Sequence, residues 1–439
     1  FITRQYLVIA VEWPLRISTA QVSSYLKERK MHKNVRVIVA ASVMMLFVTI
    51  AAYLPTTTAQ AQNTVDLQSA GALEFGDDGV LFIGDSYGAQ VVALETNDTE
   101  AVTNPEAPVF VEMIDVELAA MLGTVPREIV INDMIVNPVS QNIYLSVHIG
   151  RTIDPGVVLV RYVRASGELE VLDMAEYNMT SVDIPLEHAF EDELQYGQSI
   201  RVLTVTDLTY YDGELFIAGV SNQEFASTLR RVSYPFTDDM TVSSIEIFHG
   251  AHNRMETHAP IVTSLVYEIE GVPHLIAAYT CTPLVKIPLS SLEDGAHIIG
   301  TTMAELGFGS NPVDIMLYQP PEMMGGGDER MLVTHDQRAA SSVDPNTFAD
   351  AELSGPAANP TGVGVFELPF ISSLHTDVLN DTFVVSIRRN TQTGDLNMHS
   401  LVAGIFFDVG ESIAEYNFPD EERSPLPATN PIDYGFDVE

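Results

Sequence analysis

The chain has 439 residues, with 21 Lys/Arg against 60 Asp/Glu, a formal charge of −39 and one cysteine, Cys281. So anionic a surface repels phosphate backbones and anionic lipid, which excludes nucleic acid and acidic membrane surfaces as expected partners. A single cysteine excludes an intramolecular disulfide, a Cys-based zinc site and covalently attached c-type haem.

Residues 1–30 are basic and unlike the acidic remainder of the chain, and they read as an upstream extension ahead of Met31. From Met31 a cationic stretch with His32, Lys33 and Arg36 leads into the apolar run Val37 to Leu54, then Pro55, then Ala59-Gln60-Ala61. That order is expected of a cleaved export signal over residues 31–61, with a periplasmic or extracellular destination. The competing expectation is an uncleaved anchor, since 18 apolar residues lie at the lower limit for spanning a bilayer. The first 61 residues hold seven Lys/Arg and two Asp/Glu, so residues 62–439 carry 14 and 58, a formal charge of −44, with Lys286 as their only lysine. A chain of that charge repels itself at low ionic strength and suits a salty habitat, a halophilic kind of surface. Its acids lie among Val, Ile, Leu and Phe rather than in a polar tail, so they are expected to coat a folded core.

From Leu73 onward, short apolar runs bounded by Gly, Asn, Asp and Pro recur and amphipathic helical stretches are few, an all-β pattern. Gly71 to Gly84 reads as strand, Asp-Gly turn, strand, followed by a strand over Gln90 to Glu95. Ile131 to Ser146, Val205 to Ala218, Ile261 to Ala277 and Pro312 to Val333 repeat the scheme, and Val378 to Ile387 with Leu396 to Val402 makes a last unit. Aligning the units sets Ala72, Asp133, Asp207, Ser264 and Asp314 in one register, with gaps of 61, 74, 57 and 50 residues. Each gap accommodates one four-stranded blade and a variable loop, so residues 62–439 are expected to form a single β-propeller of about six blades, with seven as the alternative. Trp13, in the leader, is the only tryptophan, which disfavours propellers built on a Trp-Asp repeat.

The repeated unit, strand then Asp-Gly or Pro-x-x-x-Asn turn then a Leu-Phe-Ile or Ile-Tyr-Leu strand, resembles the gluconolactonase-like and NHL-like propellers. Ile131-Asn132-Asp133 followed by Asn137-Pro138 is similar to the segment of gluconolactonase-like enzymes that faces the central channel near a divalent cation. The same resemblance implies an acid ligand at Asp314, and a metal-dependent lactone hydrolase with Asn132, Asp133, Asp207 and Asp314 as metal or substrate ligands. The first unit departs from the pattern, carrying Ser69-Ala70-Gly71 where the family has a metal-binding Glu, and Thr206-Asp207 stands where an Asn is expected.

Independently of any family, Asp133, Asp207 and Asp314 in one register would converge on a narrow channel and repel unless a cation, an arginine or a proton neutralised them. Ca²⁺ suits such oxygen ligands. Each Asp reads equally as a cap that accepts backbone N–H bonds from its own strand or a nearby loop. A second constellation is His249, His252, Arg254, Glu256 and His258, which offers ligands for Zn²⁺ or, through Arg254, a seat for an anion. Loop histidines in an acidic chain also pair simply with carboxylates. Cys281 follows an apolar strand and reads as a buried apolar residue. The composite expectation is an exported propeller that binds a small molecule or a protein at its channel mouth, with hydrolysis as the alternative.

Overall fold

The computed structural model describes residues 65–404, apart from 151–155, 186–193, 196–197, 308–309, 321–326, 358–359 and 391. The expected extension, export signal and cleavage site lie outside the described residues. Almost all of the regular structure is antiparallel strand, arranged as six four-stranded antiparallel units in the manner of a β-propeller. In chain order of their innermost strands they are blade I (Leu73–Phe75, Val80–Asp85, Gln90–Glu95, Asn178–Asp183) and blade II (Ile129–Val136, Ile143–Ile149, Gly156–Val163, Glu168–Val171). Blade III is Asp207–Tyr211, Glu214–Val220, Ser227–Ser233 and Thr241–His249, and blade IV is Ile261–Ile269, Val272–Tyr279, Pro283–Pro288 and His297–Glu305. Blade V is Pro312–Tyr318, Arg330–His335, Ser341–Val343 and Phe366–Glu367, and blade VI is Ser373–Val378, Phe383–Arg389, Leu396–Val402 and Phe110–Val111. Blades III and IV join into one sheet because Ser244 to Ile247 pairs in parallel with His297 to Gly300 at their outer edges. No seventh innermost strand occurs among the described residues.

The turns explain the hairpins. Asp212-Gly213 and Glu270-Gly271 connect paired strands with both residues at positive φ (50 and 80°, 52 and 78°), the conformation that matches strand twist in a two-residue hairpin. The second strand of each blade is buried on both faces, which is why Leu81-Phe82-Ile83, Leu215-Phe216-Ile217 and Met331-Leu332-Val333 read as continuous apolar runs.

Six buried clusters occupy the spaces between neighbouring blades: I with II, I with III, III with IV, IV with V, V with VI, and VI with II. The innermost strands touch in the same circular order, I, III, IV, V, VI, II and back to I. Chain order and circular order therefore differ. Blade I takes its three inner strands from the start of the domain and its outer strand, Asn178–Asp183, from beyond blade II, so blade I sits between II and III. Blade VI, last in the chain, is completed by Phe110–Val111, whose residues pair with Met398 and His399.

The helix Ile114–Leu122 follows that borrowed strand, ends on Gly123 at φ 69° and packs Ile114 and Leu118 into the core shared by blades II and VI. No helix among the described residues is long and apolar enough to cross a membrane.

Candidate functional site: a ring of carboxyls on the inner strands

An innermost propeller strand is a sheet edge, and its outward N–H groups need acceptors. This chain supplies them from the neighbouring blade. Leu73 N–H of blade I donates to Asp133 Oδ2 of blade II (2.7 Å), Val136 N–H of blade II to Asp377 Oδ2 of blade VI (2.7 Å), and Thr376 N–H of blade VI to Asp314 Oδ2 of blade V (2.7 Å). Asp207 Oδ2 of blade III accepts from Ser264 Oγ of blade IV (2.6 Å). All four reach to the next blade in the same sense around the ring. At the other two positions blade IV carries Ser264, bonded also to Thr209 Oγ1 (2.8 Å), and blade I carries Glu74, which accepts from its own Phe75 N–H (2.8 Å).

Four of the six inner strands are irregular near these residues. Register shifts fall between Ile131 and Asp133, Ile261 and Thr263, Pro312 and Ile315, and Ser373 and His375. An extra residue in one strand of a pair bends the strand and re-aims a side chain. Here the shifts set Asp133, Asp314 and His375 close together, with one ligand atom from each within 4.8 Å of the others. His375 Nε2 donates to the Ile131 carbonyl (3.1 Å), and its Nδ1 lies 3.7 Å from Asp133 Oδ1.

Burial dominates the electrostatics. It raises the Asp133 carboxyl to about 7, against the N–H bonds of Leu73 and Met134 and with help from the charge of Asp377. Burial likewise lifts Asp377 to about 6, against the N–H groups of Val136 and Val378. Glu74, Asp207 and Asp314 are held well above the carboxylate range by burial and then by one another's charges: Asp207 on Glu74, and Asp133 on both Asp207 and Asp314. Burial takes the His375 imidazole down to about 4, so it is neutral at pH 7.

The anticipated channel residues thus separate. Asp133 and Asp314 come together, with His375, and Asp207 lies on the inner strand of blade III within reach of the Asp133 charge; each accepts from a backbone or hydroxyl donor of its neighbour. Asn132 points elsewhere: its Nδ2 donates to the Ala70 carbonyl (2.9 Å), tying the segment before blade I to blade II. Ala72 is not the blade I member of the register; Glu74 is, two residues along the strand, because Asp207, Asp377 and Asp133 are the charges that act on it. Turn spacing alone does not find Glu74, His375 or Asp377. The last blade begins at Ser373 rather than Val378, a start that goes unread because four of the six residues of Ser373–Val378 are polar and no apolar run marks the strand. A usable signal does exist: Asp followed by an apolar residue recurs at Asp133-Met134, Asp207-Leu208, Asp314-Ile315 and Asp377-Val378.

The histidine cluster lies at the seam of blades III and IV. Glu256 Oε2 pairs with His249 Nδ1 (2.8 Å), and its Oε1 with His252 Nδ1 (2.7 Å) and Arg254 Nε (2.9 Å). Burial opposes ionisation of Glu256, but the three donors outweigh it and hold the carboxyl down at about 2. His249, itself buried, also meets Thr282 Oγ1 (3.0 Å), which donates to Glu305. His258 stands apart, bonded to Thr257 Oγ1 (3.0 Å). Cys281 replaces it: half-buried rather than fully buried, at φ 82°, it offers its sulfur within 4.8 Å of ligand nitrogens on His249 and His252. With both His249 nitrogens hydrogen-bonded and Glu256 holding His249, His252 and Arg254, this cluster is a self-satisfied hydrogen-bonded network.

No protein-family pattern matches the chain, and no curated protein matches it. Among solved structures it is similar to a streptogramin B lyase (TM-score 0.36, 8% identity, covering 77% of this chain and 95% of that one). It is also similar to virginiamycin B lyase from Staphylococcus aureus (0.34, 7%, 77% and 97%) and to a PQQ-bound aldose sugar dehydrogenase from Streptomyces coelicolor (0.31, 10%, 77% and 95%). These are weak likenesses of overall fold.

Proposed function

We propose that this chain is an exported propeller that binds its ligand at the mouth of the central channel, in the periplasm or outside the cell, with a divalent cation on the carboxyl ring as part of the contact. One observation carries the reading: Glu74, Asp133, Asp207, Asp314 and Asp377 stand half-buried on the inner strands, desolvation raises all five, and the charges of Asp133, Asp207 and Asp377 raise their neighbours further. Like charges gathered in low dielectric store free energy that a bound cation releases. Four of the five are fixed by donors from neighbouring blades, so the seat is built before the ion arrives.

The test is the melting temperature of chelator-stripped protein with and without divalent ions. An ion at a hundred times its Kd adds about 2.7 kcal/mol, which is roughly 4 °C for a domain of this size. The gain should vanish in Asp133→Asn and Asp314→Asn alike. No gain with any divalent ion would overturn the reading. The export component is tested by N-terminal sequencing of the secreted protein, where Gln62 is the expected first residue and retention of Val37 to Leu54 in a membrane fraction is the contrary result.

Lactone hydrolysis is the second reading, favoured by Asp133 at about 7, where a carboxyl serves well as a general base. It requires that metal-loaded protein open a sugar lactone faster than buffer does, and that a folded Asp133→Asn variant not do so.

A further inference from the structure

Five carboxyls alone would describe a seat for Ca²⁺, a hard ion that takes six to eight oxygens. The inner strand of blade VI adds an imidazole that changes the donor set. His375 is only 8% exposed, and its Nδ1 has no hydrogen-bond partner among the described residues. A buried nitrogen lone pair without a donor is costly and requires a physical reason. Because Nε2 donates to the Ile131 carbonyl, Nδ1 carries the lone pair, and the ring is held with that lone pair toward Asp133 and Asp314. A backbone carbonyl that fixes the tautomer from behind is the usual support of a metal-ligating histidine.

The spacing agrees. Ligands bound at about 2.0–2.2 Å to one ion lie about 3–4 Å from each other, and Nδ1 stands 3.7 Å from Asp133 Oδ1. The carboxylates are oriented in turn, Asp133 by Leu73 and Met134 N–H and Asp314 by Thr376 N–H.

We infer that His375 Nδ1, Asp133 and Asp314 form a three-ligand seat for a first-row transition ion of the Zn²⁺, Mn²⁺ or Co²⁺ class, in preference to Ca²⁺. Imidazole suits these ions, whereas Ca²⁺ takes oxygen. Three protein ligands leave at least one coordination position for water or for a donor atom of the ligand entering the channel. The inference rests on the channel being a cation seat, and it names the ion and its third ligand.

The experiment uses the whole chain, stripped with chelator, in a His252→Ala, Cys281→Ala background that removes the cluster at the seam of blades III and IV. Zn²⁺, Co²⁺, Mn²⁺ and Ca²⁺ are titrated separately by calorimetry. One equivalent of Co²⁺ or Zn²⁺ should bind, at least tenfold more tightly than Ca²⁺. Losing a supporting residue behind a ligand already costs about 10- to 100-fold in affinity, so His375→Ala should weaken Zn²⁺ by about a hundredfold and leave Ca²⁺ within threefold. If His375→Ala fails to fold, Asp314→Asn serves for the affinity loss, and pulsed EPR of the Cu²⁺-loaded His375-containing protein must show one coupled imidazole nitrogen. Ca²⁺ binding that equals Zn²⁺ binding, an unchanged Zn²⁺ affinity in His375→Ala, or no nitrogen coupling overturns this inference while leaving the channel as a cation seat. Binding of none of the four ions overturns both.

Discussion

Replacing Asp133 with Asn exposes the electrostatics of the channel through the pH dependence of stability. In ion-free protein the Asp133 carboxyl is raised from 3.8 to about 7, so the fold favours its neutral form. Its contribution is fully present below about pH 4 and is lost as pH rises through 7. At 1.36 kcal/mol per unit the loss is about 4 kcal/mol, or about 6 °C in melting temperature for some 340 residues. Histidines pull the other way. His375 and His148 are lowered from 6.5 to about 4 and His335 to about 3, all by burial, so their contributions exist above pH 6.5 and fade as pH falls toward 4. The whole-protein curve mixes the two, and the difference between wild type and Asp133→Asn isolates the carboxyl. Calorimetry from pH 4.5 to 8, in chelator and near-molar NaCl to screen the surface charges, should show the variant gaining on the wild type by about 5 °C as pH rises. Adding the channel ion should restore the wild type alone. A difference that stays within 1 °C across the range would refute the reasoning.

Three further outcomes are expected. With 58 acids and 14 bases beyond residue 61, the melting temperature should rise from low to near-molar NaCl, and a flat or falling curve in the same scan removes self-repulsion as the explanation. Glu256→Gln takes the charge from a carboxylate that holds three cationic or imidazole donors and should cost about 1–3 kcal/mol by urea unfolding at pH 7. Because its folded value is lowered to about 2, that contribution is present above pH 4.5 and disappears toward pH 2, so the variant and wild type should converge there. Gly219→Ala would place a methyl 2.1 Å from the Thr204 carbonyl oxygen, a backbone atom that cannot swing aside, and should destabilise the chain by more than about 2 kcal/mol; a change under 0.5 kcal/mol in the same assay contradicts the packing.

The blades are readable in the sequence wherever a second strand is buried on both faces. Leu215-Phe216-Ile217 after Asp212-Gly213 declares itself by its apolar run and its turn. Inner strands are harder, since one edge lies at the channel and polar residues interrupt the pattern, and Ser373–Val378 escapes notice for that reason. The shared inner-strand register of Asp133, Asp207 and Asp314 follows from turn spacing alone. Glu74 does not, because a two-residue offset on a three-residue strand is below what turn spacing resolves. His375 has no sequence neighbour that marks it. Its role depends on a register shift in blade VI and on a carbonyl 244 residues away, and neither is written locally.

The order in which the strands are made differs from the order in which they sit. Leu73–Phe75 emerges early, yet it needs the inner strand of blade III, about 130 residues later, as a flank, and its sheet is finished by Asn178–Asp183. Phe110–Val111 waits longer still, for Met398 and His399. Contacts so distant in sequence slow folding, because chain closure costs entropy before it returns any contact. Blades II, III, IV and V are each built from strands close together in sequence and blade I is complete once Asn178–Asp183 is made, whereas blade VI alone must hold Phe110–Val111 until Leu396–Val402 arrives. The ring closes only once Ser373–Val378, Phe383–Arg389 and Leu396–Val402 have been made, so a polypeptide emerging N-terminus first carries an open set of blades until those strands appear.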